Sequence, residues 1–225
     1  MAKIRAILIL LQMGITISLT IIFMYIFKKH NHKVRKIWSA LQIKLMGVKL
    51  EIEGKIDNDA DMVIINHQSM LDIILYEYLT SRDVAWIAKK EIDNIPWFGH
   101  IIKAPKMITV ERESKKSLVK LLKDVKDRLS YKRQLAIFPE GTRTDGKKLK
   151  KFKSGAKVIA EKFNLNVQPI VFIGTIDVFD SKKILQSSGT IKVVYLPTIK
   201  ANKSSNWYEE TEAKMKEILK KEVYK

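Results

Sequence analysis

Cysteine is absent from this 225-residue chain, which excludes disulfides, thiolate metal sites and a cysteine nucleophile together and suits a reducing compartment. Covalent chemistry would have to run through oxygen or by direct transfer. Glycine and proline are scarce, at 9 and 5 residues, while 46% of the chain is hydrophobic, so neither a disordered nor a collagen-like chain fits. Acidic residues are outnumbered 24 to 42 by lysine and arginine, and the net charge of +18 points to an anionic partner: nucleic acid, an acidic membrane surface or a phosphorylated substrate. Nucleic acid fits worst, because there is no aromatic RNA-binding signature, no zinc-ligand spacing and no basic region joined to heptads. Internal repeats, low-complexity linkers and a Gly-x-Ser-x-Gly nucleophile motif are also missing. The length amounts to one globular domain with a further segment attached.

That segment is N-terminal. Ala6 to Phe27 is a run of 22 residues without a charge, and a helix of that length covers roughly 33 Å, enough for a hydrocarbon core of about 30 Å. A cleaved signal peptide would have a shorter apolar stretch and a small-residue cleavage site, whereas Lys28, Lys29, His30 and His32 follow directly. Lys28, Lys29, Lys33, Arg35 and Lys36 outnumber Lys3 and Arg5 on the other flank, which predicts a membrane protein with its bulk on the cytoplasmic face. Gln12, Thr16 and Thr20 recur every four residues as a polar stripe that needs a partner. Val34, Ile37, Trp38, Leu41, Leu45 and Val48 then follow helical spacing, as either an amphipathic interfacial helix or a core-facing one. A single span and a half-inserted helix pair both fit. The division this gives is residues 1–50 as membrane-associated helices and 51–225 as one α/β domain.

Beyond Gly54, short β-rich runs alternate with helical ones. Met62 to Ile65, Val84 to Ala88, Met107 to Val110, Leu135 to Phe138, Val167 to Ile173 and Thr190 to Leu196 are the expected strands. Ser69 to Thr80, Ser114 to Ser130, Ser154 to Phe163 and Trp207 to Val223 are the expected helices, several opened by a serine placed to cap. The fold class is α/β, a mostly parallel or mixed sheet flanked by helices.

Two strings stand where an apolar strand ends, the place ligands collect in such sheets. The first is Asn66-His67-Gln68-Ser69-Met70-Leu71-Asp72. Across a strand-to-helix turn, the Asp72 carboxylate can take one ring N–H of His67 and leave the other nitrogen for a hydroxyl, a general base with its orienter. Ser69 to Asp72 equally fits a capping box, with the carboxylate spent on the backbone. The second string is Phe138-Pro139-Glu140-Gly141-Thr142-Arg143. It reads as an anion-binding turn, in which Arg143 offers a planar cation to phosphate, or as a plain β-turn with a surface ion pair. His30, His32 and His100 lie outside any ligand spacing, so no metal is expected.

Together the two strings resemble the 1-acyl-sn-glycerol-3-phosphate acyltransferases of the glycerolphosphate acyltransferase type. NHQSMLD is similar to that family's Asn-His-x4-Asp block, and FPEGTR to its second hallmark. Lys89-Lys90-Glu91, the later Ile108-Thr109-Val110-Glu111-Arg112 and Val167-Gln168-Pro169-Ile170-Val171 look like two weaker blocks in family order. One departure is Lys106, where a small glycine is usual. The resemblance implies transfer of a fatty acyl group from acyl-CoA or acyl carrier protein to the sn-2 hydroxyl of lysophosphatidic acid, giving phosphatidic acid for phospholipid biosynthesis, without a further cofactor. Membrane lipids and the acyl donor are the implied partners. Another lysolipid acceptor, or a basic membrane- or nucleic-acid-binding module without catalysis, are the alternatives. In this reading His67 is the base and Asp72 its orienter. Arg112, Arg143 and Lys153 meet phosphate, Glu140 orders the loop or meets a glycerol oxygen, and Gly141 and Thr142 line the substrate.

Overall fold

In the computed structural model, which describes residues 2–111 and 115–223, the buried apolar runs assemble into a mixed sheet of eight strands. The chain opens with helices α1 (Ala2–Ile26) and α2 (Asn31–Leu45), joined by a 3-10 turn. There follow β1 (Val48–Glu53), β2 (Met62–Ile65), α3 (Leu71–Leu79), β3 (Val84–Lys89), α4 (Lys90–Asp93), α5 (His100–Lys103), β4 (Ile108–Val110), α6 (Lys115–Ser130) and β5 (Gln134–Ile137). The remainder is α7 (Ser154–Lys162), β6 (Asn166–Ile173), α8 (Thr175–Val178), the hairpin β7 (Phe179–Asp180) and β8 (Leu185–Gln186), β9 (Gly189–Tyr195), β10 (Ile199–Lys200) and α9 (Trp207–Val223). Sheet order is β1-β9-β6-β2-β5-β3-β4, with β10 beside β6. β6, β2, β5, β3 and β4 run parallel, while β9 and β10 are antiparallel to β6.

Parallel strands are covered on both faces, which is why Met62-Val63-Ile64-Ile65 is apolar throughout and wholly buried. Successive side chains go to opposite sides. Met62 and Ile64 join Leu121, Ile159 and Met215 under α6, α7 and α9; Val63 and Ile65 join Met13, Ile43 and Leu75 under α1, α2 and α3. The expected strands all form, with ends shifted by a residue. β1, β7, β8 and β10 went unread. The alternation of β1, V-K-L-E-I-E, begins inside the helical spacing that ends on Val48, and the strand runs across residues 50 and 51. The capping serines differ from expectation. Ser69 Oγ does accept from the Leu71 amide at 3.1 Å, but Ser154 is itself the first residue of α7, after an uncapped Lys153. Ser114 lies outside the described residues.

The N-terminal hairpin buries several polar side chains and leaves many apolar ones exposed. On α2 the buried positions include Arg35, Ser39 and Gln42, whereas Ile37 is 71% exposed and Leu41 and Leu45 about two-fifths. On α1, Leu8, Leu11, Ile15 and Ile26 are exposed. The polar stripe has its partner in α2: Thr16 Oγ1 accepts from Gln12 Nε2 and Trp38 Nε1 at 3.0 Å each and from Gln42 Nε2 at 3.3 Å. Arg35, counted above with the flanking cations, is 4% exposed and bonded to Glu77 and Asp83. Contacts to the α/β body run the length of α1, from Arg5 on Ser188 through Ser18 on Trp97 to Tyr25 on His100.

Candidate active site

The first string occupies the turn from β2 into α3. His67 Nδ1 lies 2.8 Å from Asp72 Oδ2, so the ring presents Nε2 as its other nitrogen. One face of the imidazole stacks on Phe138, with centroids 3.8 Å apart and planes 8° apart, and Phe138 stacks in turn on Trp86. Edge and face are both held. The two readings of Asp72 prove compatible, because Oδ2 also accepts from the Gln68 and Ser69 amides at 2.7 and 2.8 Å. Its Oδ1 accepts from Thr175 Oγ1 at 2.5 Å, and the side chain is wholly buried. Asn66 stitches the strand end to β6, taking the Phe172 amide and donating to the Phe172 carbonyl.

The second string wraps the first. Glu140 Oε1 accepts from the His67 amide and Oε2 from the Lys150 amide, both at 2.7 Å, and the His67 carbonyl accepts from the Thr144 amide at 2.8 Å. The backbone of the histidine is thereby held on both sides by the loop after β5. Of the two roles foreseen for Glu140, this geometry is loop ordering: the residue is 1% exposed and both oxygens are spent on backbone. Burial pushes its carboxyl up to about 7, against the pull of those two amides. Gly141 takes φ = 70°, a left-handed turn that suits glycine and delivers Thr142 and Arg143 to the mouth of the site.

His67, Gly141, Thr142 and Arg143 line one cavity of about 550 Å³ whose wall is otherwise mostly apolar. From Met70, just before α3, it follows Ile73, Ile74 and Glu77 down one face of the helix, an i, i+3, i+4, i+7 stripe. Met13, Ile17 and Thr20 of α1 and Trp38 of α2 form another wall. The arrangement offers a base and a cation at the rim of a container for hydrocarbon. The buried Arg35–Glu77 pair adjoins it, and burial raises the Glu77 carboxyl above its ordinary range.

The foreseen residues do not all converge. Lys153 is exposed and absent from the cavity wall; its amide donates to the Pro139 carbonyl, a role for backbone rather than ammonium. Arg112 lies outside the described residues. Lys89, read only as part of a motif, does line the cavity. Lys106, which replaces the usual glycine, adopts φ = 50° and so keeps the left-handed backbone that glycine would take at less cost. Among the described residues no cluster of three or more His, Asp or Glu is placed to hold a metal. Thr175, Ser181 and Phe138's stacking role left no local signal, since each acts across a long sequence gap or through ring geometry.

A family model described as Acyltransferase matches residues 48–173. The chain is 42% identical over 221 residues to a 1-acyl-sn-glycerol-3-phosphate acyltransferase of Helicobacter pylori, a match covering 96% of this chain and 93% of that one. A protein of the same description from Cocos nucifera is 32% identical over 168 residues, 74% of this chain and 54% of its own. Among solved structures, the crystal structure of the 1-acyl-sn-glycerophosphate (LPA) acyltransferase PlsC from Thermotoga maritima superposes with a TM-score of 0.77 at 24% identity, over 100% of this chain and 97% of the other. The α/β sheet flanked by helices, with an apolar N-terminal helix, is thus a shared architecture.

Proposed function

The chain belongs to the 1-acyl-sn-glycerol-3-phosphate acyltransferases, and on that premise we propose that it moves a fatty acyl group from a thioester to the sn-2 hydroxyl of 1-acyl-sn-glycerol 3-phosphate, yielding phosphatidic acid. The observation that carries the site assignment is that His67 and Arg143 open onto the same apolar cavity. An alcohol attacks slowly unless its proton leaves as the bond forms. His67 Nε2 takes that proton while the oxygen adds to the thioester carbonyl, and Asp72 accepts the Nδ1–H and steadies the imidazolium. Collapse of the tetrahedral intermediate breaks the carbon–sulfur bond, and the proton goes to the departing thiolate. Thiolate is a good leaving group, so direct transfer suffices. Arg143, with Thr142 and the Gly141 backbone, meets the phosphate; the apolar chamber takes the acyl chain.

The donor is a thioester of coenzyme A or acyl carrier protein, both anionic and both favoured by a chain of net charge +18. The enzyme works at the cytoplasmic face of a membrane. α1 is long and apolar enough to cross one, yet its contacts with the α/β body run from Arg5 to Tyr25, which supports a hairpin lying in one leaflet with Ile37 and Leu41 toward lipid.

The test is acylation of defined lysolipids by purified protein in detergent. Lysophosphatidate is converted, and His67→Ala loses at least about a thousandfold in kcat while still binding vesicles. Product only from another lysolipid overturns the acceptor; full activity in the variant overturns the base.

A further inference from the structure

We propose that residues 175–181, which begin just past the family match, form a bracket that fixes the base against the phosphate-binding arginine. This rests on the function proposed above. Hydrogen bonds reach from this short segment into both halves of the site, and the Thr175 hydroxyl also lies 3.3 Å from Gln68 Oε1. Thr175 Oγ1 donates to Asp72 Oδ1 at 2.5 Å, the Phe179 carbonyl accepts from Ser69 Oγ at 2.5 Å, and Ser181 Oγ accepts from Arg143 Nη1 at 2.8 Å. Thr175 and Asp72 are wholly buried, so no water replaces the lost donor without rearrangement. Asp72 Oδ2 already serves His67 and two amides. Thr175 is what occupies the other oxygen, and without it the carboxylate is free to pivot and take the imidazole with it.

The segment is itself rigidly mounted. It follows Gly174, whose φ of 87° suits glycine and where a Cβ would stand 3.2 Å from the Thr190 carbonyl. Val178 and Phe179 are buried, the Ser187 amide donates to the Val178 carbonyl, and β7 pairs with β8. Among the described residues, Ser181 is the hydrogen-bond partner of the Arg143 guanidinium, a long side chain that would otherwise sample many rotamers before meeting a phosphate. Thr175 and Ser181 are therefore positioning residues, one acting through Asp72 and the other through Arg143.

Steady-state kinetics separate the two ends of the bracket. Thr175→Val keeps the shape and removes the hydroxyl; kcat falls about tenfold with both KM values within about twofold, and Thr175→Ser restores kcat. Ser181→Ala, at a half-buried position, raises KM for lysophosphatidate about fivefold and leaves kcat and the KM for the thioester alone. Thermal unfolding is followed for each variant, and Thr175→Ala is measured beside the valine variant in case the latter does not fold. Folded Thr175 variants with unchanged kcat, a loss that serine does not restore, or an unchanged KM in Ser181→Ala overturn the bracket. Wild-type protein that acylates no lysophosphatidate overturns the functional reading and the bracket with it.

Discussion

Glu140 spends both carboxylate oxygens on backbone amides, one of them that of His67, and so holds the histidine without facing the cavity. Its carboxyl ordinarily titrates at 4.5 and is pushed up to about 7 by burial. Between those two values the folded chain keeps a proton that the unfolded chain has released, so stability from this group is complete below 4.5 and declines as pH rises toward 7, by on the order of 3 kcal/mol. Denaturant midpoints measured from pH 4 to 8 should fall across that window in the wild type and run flatter in Glu140→Gln; parallel slopes would assign the decline to another group. The pairing of His67 with Asp72 and the convergence of His67 and Arg143 on one cavity were legible in the sequence because both strings keep fixed neighbours. Thr175 was not, since its tie to Asp72 spans a hundred residues and threonine is ordinary anywhere. Lys153, named with Arg143 from the resemblance, stands off the cavity wall, and no local pattern says where a flexible ammonium ends up.

Helix α2 carries Arg35, Ser39 and Gln42 inward, and Arg35 docks the hairpin onto α3. Arg35 reaches Glu77 and Asp83, and the Glu77 carboxylate also accepts from Trp86 Nε1 at 2.9 Å. Removing one member of a buried pair strands the other. Arg35→Met is expected to cost about 3–5 kcal/mol, and Glu77→Leu added to it should recover part of that, read as denaturant midpoints of the two variants. An unchanged midpoint in Arg35→Met would mean that the hairpin is held by its apolar contacts alone. The helical spacing of α2 was plain in the sequence, but its inverted facing was not. Periodicity states which residues share a face and leaves open whether that face meets water, protein or lipid. The parallel strands posed no such difficulty, since an unbroken apolar run such as Met62 to Ile65 has only an interior to go to.

Across the whole molecule, an apolar outer face on α1 and α2 stands beside a chain of net charge +18, the combination that anionic bilayers retain. Replacing Ile37 and Leu41 together by glutamate withdraws two exposed apolar side chains, and partition into vesicles containing anionic lipid should drop by roughly tenfold or more in a sedimentation assay. Equal partition would place the contact elsewhere on the surface. The chamber beside His67 is walled partly by Met13, Ile17 and Trp38, which belong to that same hairpin. The proposed anchor and the cavity wall are therefore one part. Trimming the hairpin to obtain a water-soluble protein would take that wall with it and leave an intact imidazole at the edge of an open trough.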